Sequence, residues 1–438
     1  MSRETVRGAG ARRSRLVTGL AVAAVTVAAS ACGLVVLLAV ARVAAAPALF
    51  MAAGMGGFAA AGYAGVALVA ARRTPRARRR AARRTMFVVG VLLPGAVFGA
   101  AAVVPRPQAP PAAVPGAFSV QLATGSRLTV VKLAARAATR RTPVIVVHGG
   151  PGVPELEENA RSFASLTGQG FDVYLYEQLG TGSSARLSDP RGHTRERAVA
   201  DLEGLRGRLG LDKVVLIGHS YGGQIAARYL AAHPGRVAQL VLTSPEALDP
   251  ADTSGNLVSA RLAVAQKARL YAQLLAPRPL LSYLLLQVNP AAAHAFLPDA
   301  EADTRNDTVV GLTRPALHCR GAEIPDRPEQ GTGFYAMQYP QSATAPRASD
   351  PRAALAGLTT PALIVKGSCD YLSWRSAAGY RDLLPNSRLI YVTGAGHNVY
   401  HGGRAVVMTA ISAFLTDRPL PLAPYTASTP PSGYEGPP

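Results

Sequence analysis

The chain has 438 residues, 49% of them hydrophobic and 16% charged, with a formal net charge of +20. It therefore has ample material for a core and is not an intrinsically disordered chain. The charge is uneven: residues 1–104 carry fourteen arginines and one acid, Glu4, and the remainder nets only +7. The arginines sit in short blocks beside long apolar runs rather than on an aromatic-interleaved surface, which argues against nucleic acid as a partner.

Three uncharged runs come first: Leu16–Ala41, Val43–Ala71 and Met86–Val104. Each approaches or exceeds the roughly 20 residues that cross a hydrocarbon core, which predicts three transmembrane helices over about 16–41, 43–71 and 86–104. Arg42 alone separates the first two, as in a tight helical hairpin. The second run contains Gly54, Gly56, Gly57, Gly62 and Gly65, small residues that let helices approach closely in lipid. Arginines crowd the leader (Arg3, Arg7, Arg12, Arg13, Arg15) and the segment from Arg72 to Arg84. The positive-inside rule places both in the cytoplasm, and three crossings then put everything after Val104 outside the cell membrane. The first run is too long for the apolar part of a cleaved signal peptide. The lipid bilayer is thus an expected partner.

Pro105–Pro115 reads as an extended spacer (105–116), and the Pro-rich end, 419–438, as an unstructured tail. Between them lies a folded domain, 117–418. Cys32 falls in the first apolar run, leaving Cys319 and Cys369, either a disulfide in an oxidising exterior or two buried thiols.

Within that domain short β-branched runs alternate with helical patterns. Pro143–Val147, Phe171–Tyr176, Val214–Ile217, Gln239–Thr243, Ala362–Val365 and Leu389–Val392 read as strands of a mostly parallel sheet with helices on both faces. Phe118–Leu133, turning at Thr124-Gly125, reads as an antiparallel hairpin leading into it. Residues 247–355 are helical and irregular, an insertion capping the strand edge where open α/β sheets bind ligands.

Gly218-His219-Ser220-Tyr221-Gly222 follows the 213–217 strand and precedes the amphipathic helix 224–232. Strand, tight turn and helix form the setting of a nucleophile elbow, in which flanking side chains would clash and a serine hydroxyl is presented at the helix N-terminus. A serine needs a base, and the base an orienting acid, expected in the chain order Ser, acid, His. Asp370 and His397 follow strands 362–365 and 389–392 on the same sheet edge and are the candidates for these roles. Asp382, in a predicted helix, and His401, at the next helix start, are the rivals. An oxyanion needs backbone donors. His148-Gly149-Gly150-Pro151-Gly152 after strand 143–147 suits this, with the N–H groups of Gly150 and Tyr221 as the expected hole and Gly149 a weaker candidate. His148 is expected to shape the loop, and His219 to point away from the reaction.

These residues resemble the α/β-hydrolase superfamily, and within it the proline iminopeptidase-like branch of serine peptidases. The resemblance rests on HGGPG at 148–152, EQLGTGSS at 177–184, Asp201 with its neighbours, the elbow, His233–Val237, Asp370 and His397, over about 140–246 and 357–415. Glu177 and Leu179 stand where that branch usually has Asp and Arg, and the elbow reads GHSYG where it usually has Gly and Trp beside the serine. The resemblance implies an α/β-hydrolase fold and an acyl-enzyme on Ser220. It also implies cap carboxylates that bind a substrate amine; Glu246, Glu301, Glu323 and Glu329 are available, each expected as a solvated surface residue. The leading expectation is a membrane-anchored aminopeptidase acting on short peptides, with a small or lipid-derived ester as the alternative substrate and a non-catalytic membrane scaffold as the rival from another class. Serine at the nucleophile position disfavours an epoxide hydrolase or dehalogenase. No cofactor or metal is expected, since no ligand spacing or phosphate-binding loop occurs.

Overall fold

The computed structural model describes residues 3–103, 114–137, 141–249, 252, 258–324 and 329–437. Its helices begin with α1 (Arg3–Val43), α2 (Pro47–Arg73), α3 (Arg79–Phe87) and α4 (Leu93–Val103). The strands are β1 (Phe118–Gln121), β2 (Arg127–Leu133), β3 (Val144–Val147), β4 (Val173–Glu177), β5 (Val214–His219), β6 (Val237–Thr243), β7 (Ala362–Gly367) and β8 (Ser387–Val392). Between β3 and β6 lie α5 (Leu156–Thr167), α6 (Arg195–Arg208) and α7 (Tyr221–Ala232). The β6–β7 insertion holds α8 (Val264–Leu274), α9 (Pro277–Leu286), α10 (Pro290–Phe296), α11 (Asp299–Thr313), α12 (Phe334–Gln338) and α13 (Arg352–Leu355). Helices α14 (Trp374–Leu383), α15 (Val399–Gly402) and α16 (Arg404–Leu415) complete the chain.

Two compact units result: the N-terminal helices together with Leu275–Pro298, and Pro107–Leu274 with Asp299–Pro438. In the first unit three helical stretches, Leu16–Val43, Pro47–Arg73 and Arg76–Ala102, are long and apolar enough to cross a membrane. Pro47 starts α2 because its missing N–H costs nothing at the first helical position. The hairpin packs through glycine: a Cβ on Gly33 would lie 2.8 Å from the Gly54 carbonyl oxygen, and one on Gly62 2.5 Å from Val91. Close approach of this kind is what small residues permit in lipid. The third stretch contains a π-turn at Val88–Leu92 between α3 and α4. Pro94 there cannot donate to the Gly90 carbonyl, which accepts instead from the Thr26 hydroxyl. The arginines of 76–84, expected in a loop, are largely helical, because a run of Arg and Ala has high helix propensity.

In the second unit an eight-stranded sheet runs β1-β2-β4-β3-β5-β6-β7-β8. β1, β2 and β4 pair antiparallel and all other neighbours parallel. The central strands β3, β4, β5 and β7 are buried along their whole length, as a sheet covered on both faces requires. One face packs Leu202 and Leu205 of α6, Ile225 and Tyr229 of α7, and Trp374 and Tyr380 of α14 against Ile145, Leu216 and Ile364. On the other, Phe163 of α5 and Ile411 of α16 pack against Val146, Ile217 and Leu363. Truncating such a residue, Leu216→Ala for instance, would cost about 2–5 kcal/mol.

Two expectations are corrected. The 275–298 part of the insertion groups with the N-terminal helices rather than with the domain above the sheet, because its apolar helices α9 and α10 find their partners there. The Pro-rich tail is packed rather than unstructured. Tyr425 N–H donates to Leu389 O at 2.6 Å, Glu435 N–H to Ser368 O at 2.8 Å, and Pro437 O accepts from Trp374 N–H at 2.8 Å. The Tyr425 and Tyr434 rings meet Trp374 edge-on, with centroids 5.2 and 5.5 Å away. Proline prevents regular structure, but these two aromatics still bury. The 105–116 spacer lies mostly outside the described residues.

Candidate active site

The turn from β5 into α7 puts Ser220 at φ 51°, ψ −120°, a conformation that non-glycine residues rarely adopt and that surrounding structure must hold. Neighbouring backbone holds it: Ser220 N–H donates to Thr243 O at 3.0 Å, and Ser220 O accepts from Glu246 N–H at 3.1 Å. A Cβ on Gly218 would lie 2.5 Å from Gly222 O, and one on Gly222 2.1 Å from Val147 O, so both positions require glycine.

The Ser220 hydroxyl lies 2.9 Å from His397 Nε2, and His397 Nδ1 2.7 Å from Asp370 Oδ1. His397 arrives on the loop after β8, where His397 N–H donates to Leu317 O at 2.8 Å. Asp370 follows β7 and is fully buried. Burial by itself would raise its pKa. The Lys366 ammonium and His397 outweigh that and hold the carboxyl well below the usual carboxylate range. Lys366 is also fully buried, on β7, and its three N–H bonds reach Asp370 Oδ2 at 2.8 Å, Leu372 O at 3.1 Å and Ser376 Oγ at 3.1 Å. All three donors of an ammonium are thereby satisfied, which lets it stay charged although burial lowers its pKa.

Ser220 opens onto a cavity of about 920 Å³ whose lining includes Gly150, Arg195, Arg228 and Glu246. Burial raises the Glu246 pKa, opposed by Arg195 and Arg228. Among the described residues Glu246 Oε2 and Arg228 Nε have no hydrogen-bond partner, whereas Arg195 Nε donates to Gln224 Oε1 at 2.5 Å.

Residues 142–403 match the model of the family described as alpha/beta hydrolase fold. The chain belongs to that family. A proline iminopeptidase of Lactobacillus delbrueckii subsp. lactis is 28% identical over 288 residues, 59% of this chain and 85% of the relative. The 1-acylglycerol-3-phosphate O-acyltransferase ABHD5 of Sus scrofa is 28% identical over 295 residues, 64% of this chain and 79% of its own. Among solved structures, VinJ matches with TM-score 0.49 at 19% identity, covering 70% of this chain and 99% of VinJ.

In this α/β-hydrolase fold the other sequence candidates fall as follows. Gly149 N–H is occupied, donating to Glu155 Oε2 at 3.3 Å, while Gly150 lines the cavity beside Ser220 and Tyr221 opens α7. Glu155 itself is half-buried and pushed up to about 8 by desolvation, with Glu158 adding to the effect. His148 Nε2 accepts from Gln178 N–H at 2.9 Å; burial lowers its pKa to about 4, so it is neutral and fastens the loop. His219 Nδ1 lies 3.1 Å from Thr243 O, and its ring sits behind His397 with centroids 5.0 Å apart. The rival base His401 pairs with Glu158 at 2.5 Å, and the rival acid Asp382 lies exposed at the end of α14. Of the four glutamates, Glu301 is buried rather than solvated and binds Arg305 at 2.7 Å, Glu329 binds Arg314 at 3.1 Å, and Glu323 is exposed. Glu246 alone of these four lines the Ser220 cavity, so it is not the solvated surface residue expected of it: α7, the tyrosine Tyr380, whose hydroxyl donates to Glu246 O at 2.8 Å, and the two arginines enclose it.

Two features escaped the sequence. Lys366 looked like an ordinary strand residue, although an ammonium four positions before the candidate acid was a usable signal. Arg195 reaches the cavity from α6 and Arg228 from α7, and no motif marked either one. Of the two states left open for Cys319 and Cys369, the structure has the disulfide, which ties the insertion to the residue preceding Asp370.

Proposed function

We propose that the protein is a membrane-anchored serine hydrolase that cleaves an amide or ester through an acyl-enzyme on Ser220, acting as an aminopeptidase on short peptides. The observation that carries this reading is the continuous chain Ser220 Oγ, His397, Asp370 at 2.9 and 2.7 Å, opening on a substrate-sized cavity. His397 Nε2 takes the hydroxyl proton as Oγ attacks the scissile carbonyl carbon. The carbonyl π-electrons move to oxygen, which accepts from the Gly150 and Tyr221 N–H groups. Collapse breaks the bond to the leaving amine or alcohol, which receives the proton from His397. Water, deprotonated by the same imidazole, then releases the acid and restores Ser220. Asp370 stays ionised throughout and stabilises the imidazolium.

The peptidase reading draws on the similarity to proline iminopeptidases and on Glu246, a carboxylate among the cavity-lining residues whose buried Oε2 has no hydrogen-bond partner and could pair with a substrate ammonium. The esterase reading has its own support in Arg195 and Arg228, cations on the same wall. The arginine distribution of residues 3–84 supports an outer position for the domain, and the disulfide suits an oxidising exterior. Turnover of aminoacyl amides with free and acetylated N-termini, beside p-nitrophenyl esters, tests the assignment. Cleavage of amides only when the amine is free is expected. Serine-dependent cleavage of esters alone would replace the peptidase reading with the esterase one.

A further inference from the structure

The loop 368–373 carries Asp370 from β7 to α14 and has no helix or strand of its own. Toward β8 and the His397 loop it is fixed by Ser368 N–H to Val392 O at 3.0 Å and Cys369 N–H to Ala395 O at 2.9 Å. Other backbone groups of the loop are taken by a segment far downstream. Glu435 N–H donates to Ser368 O at 2.8 Å, the Tyr434 hydroxyl to Leu372 O at 2.6 Å, and Trp374 N–H to Pro437 O at 2.8 Å. Ser368 and Leu372 stand two positions before and two after Asp370. Between them Gly436 lies against the Asp370 carbonyl, where a Cβ would overlap the oxygen. Consecutive residues 434, 435, 436 and 437 thus meet the acid loop and the start of α14.

The segment reaches the loop on a fixed course. Tyr425 N–H pairs with Leu389 O of β8 at 2.6 Å, Arg381 of α14 donates to Ala427 O at 2.8 Å, and the Tyr425 and Tyr434 rings meet Trp374 edge-on. Pro430, Pro431 and Pro437 reduce the freedom the segment loses on being seated. All of these residues belong to the second unit. Covering the open side of the edge strand β8 would need only the Tyr425 pairing; residues 434–437 lie instead on the loop of the candidate acid. There Asp370 Oδ1 meets both His397 Nδ1 at 2.7 Å and Leu372 N–H at 3.1 Å, and Leu372 O accepts from Lys366 as well as from Tyr434. The tyrosine hydroxyl therefore holds the residue that orients the carboxylate. Residues 434–437 are not among those lining the Ser220 cavity.

We propose that residues 434–437 are a strap that positions the catalytic acid: Tyr434 and Gly436 set where the Asp370 carboxylate stands relative to His397, and the reactivity of Ser220 depends on them. They are positioning residues, acting through Asp370. This rests on reading Ser220, His397 and Asp370 as the catalytic set.

The test measures the rate at which a fluorophosphonate labels Ser220 in the full chain in detergent, beside Tyr434→Phe, Gly436→Val and a chain ending at Thr429, which keeps Tyr425. Since small misplacements of reacting groups are costly, Gly436→Val and the shortened chain should label about tenfold more slowly and Tyr434→Phe about threefold. Urea unfolding checks that each variant is folded, and a synthetic peptide of residues 430–438 should restore the rate of the shortened chain. In an Asp370→Asn background Gly436→Val should bring no further slowing, because both changes act on one carboxyl. Tyr434→Phe, which keeps the ring against Trp374 and loses only the hydroxyl, decides the matter should the shortened chain not fold. Equal rates in the intact chain and the folded variants would overturn the strap and leave Ser220 as nucleophile. Slowing that persists undiminished in Asp370→Asn would also overturn it, since the segment would then act elsewhere. An intact chain that takes no label on Ser220 would overturn the catalytic reading, and the strap with it.

Discussion

Two groups of residues around Ser220 keep buried charge in opposite ways. On the side of the strand ends, Asp370 receives Lys366, His397 and the Leu372 N–H, the last at 3.1 Å, and Lys366 spends all three of its N–H bonds. Among the residues lining the cavity, Glu246 and Arg228 each retain a polar atom without a protein partner. Since a buried polar group left unpaired costs about 1–3 kcal/mol, the first arrangement is one a folded chain can hold rigidly. The second becomes favourable only when something else completes it. On the proposed function, the difference separates groups that would position the reaction from groups that would receive a substrate.

The largest effect should come from the positioned side. Ser220→Ala is expected to lower kcat by about 10⁴–10⁶ without altering the unfolding transition; a loss below tenfold would remove this serine from the chemistry. Lys366→Met leaves Asp370 a buried carboxylate short of its cation, at a cost of about 3–5 kcal/mol, measurable by urea unfolding. The sign with pH follows from the depressed Asp370 pKa. Its stabilisation is complete above the unfolded value and is lost only as pH falls through the lower folded one, so Lys366→Met should move acid unfolding to higher pH. Wild-type acid stability in that variant would show that Lys366 does not set the Asp370 charge. Reducing Cys319–Cys369, a closure across 50 residues, should cost up to about 4 kcal/mol, with the acid loop loosening first in hydrogen exchange. Smallest is Glu246→Gln on the unpaired side, expected to raise KM for free-amine substrates about tenfold, or 1.4 kcal/mol, and to leave kcat for neutral esters unchanged. Equal loss on both substrate types would make Glu246 structural.

The same contrast explains what could be read in the chain. The elbow was legible because glycines at 218 and 222 report a steric requirement that is local in sequence. The loops carrying Asp370 and His397 were legible because each follows a strand, and parallel strands bring their C-terminal ends to one edge. Lys366 was not, since its burial is produced by α14 and by Leu372, contacts that a strand pattern does not encode. Glu246 read as a surface acid for the same reason: the arginines that enclose it come from α6 and α7. In the tail, proline reported the absence of helix and strand, while the packing of Tyr425 and Tyr434 on Trp374 depended on a partner some fifty residues upstream. The position of 275–298 followed from helix ends far away in the N-terminal unit, which its own apolar pattern does not name.

The most direct test of the central claim is covalent. Treating the full-length protein with a fluorophosphonate and mapping the adduct by peptide mass should place one label on Ser220, absent in Ser220→Ala and much slower in His397→Ala. No adduct on the folded protein, or an adduct on another residue, would contradict the assignment of Ser220 as the nucleophile.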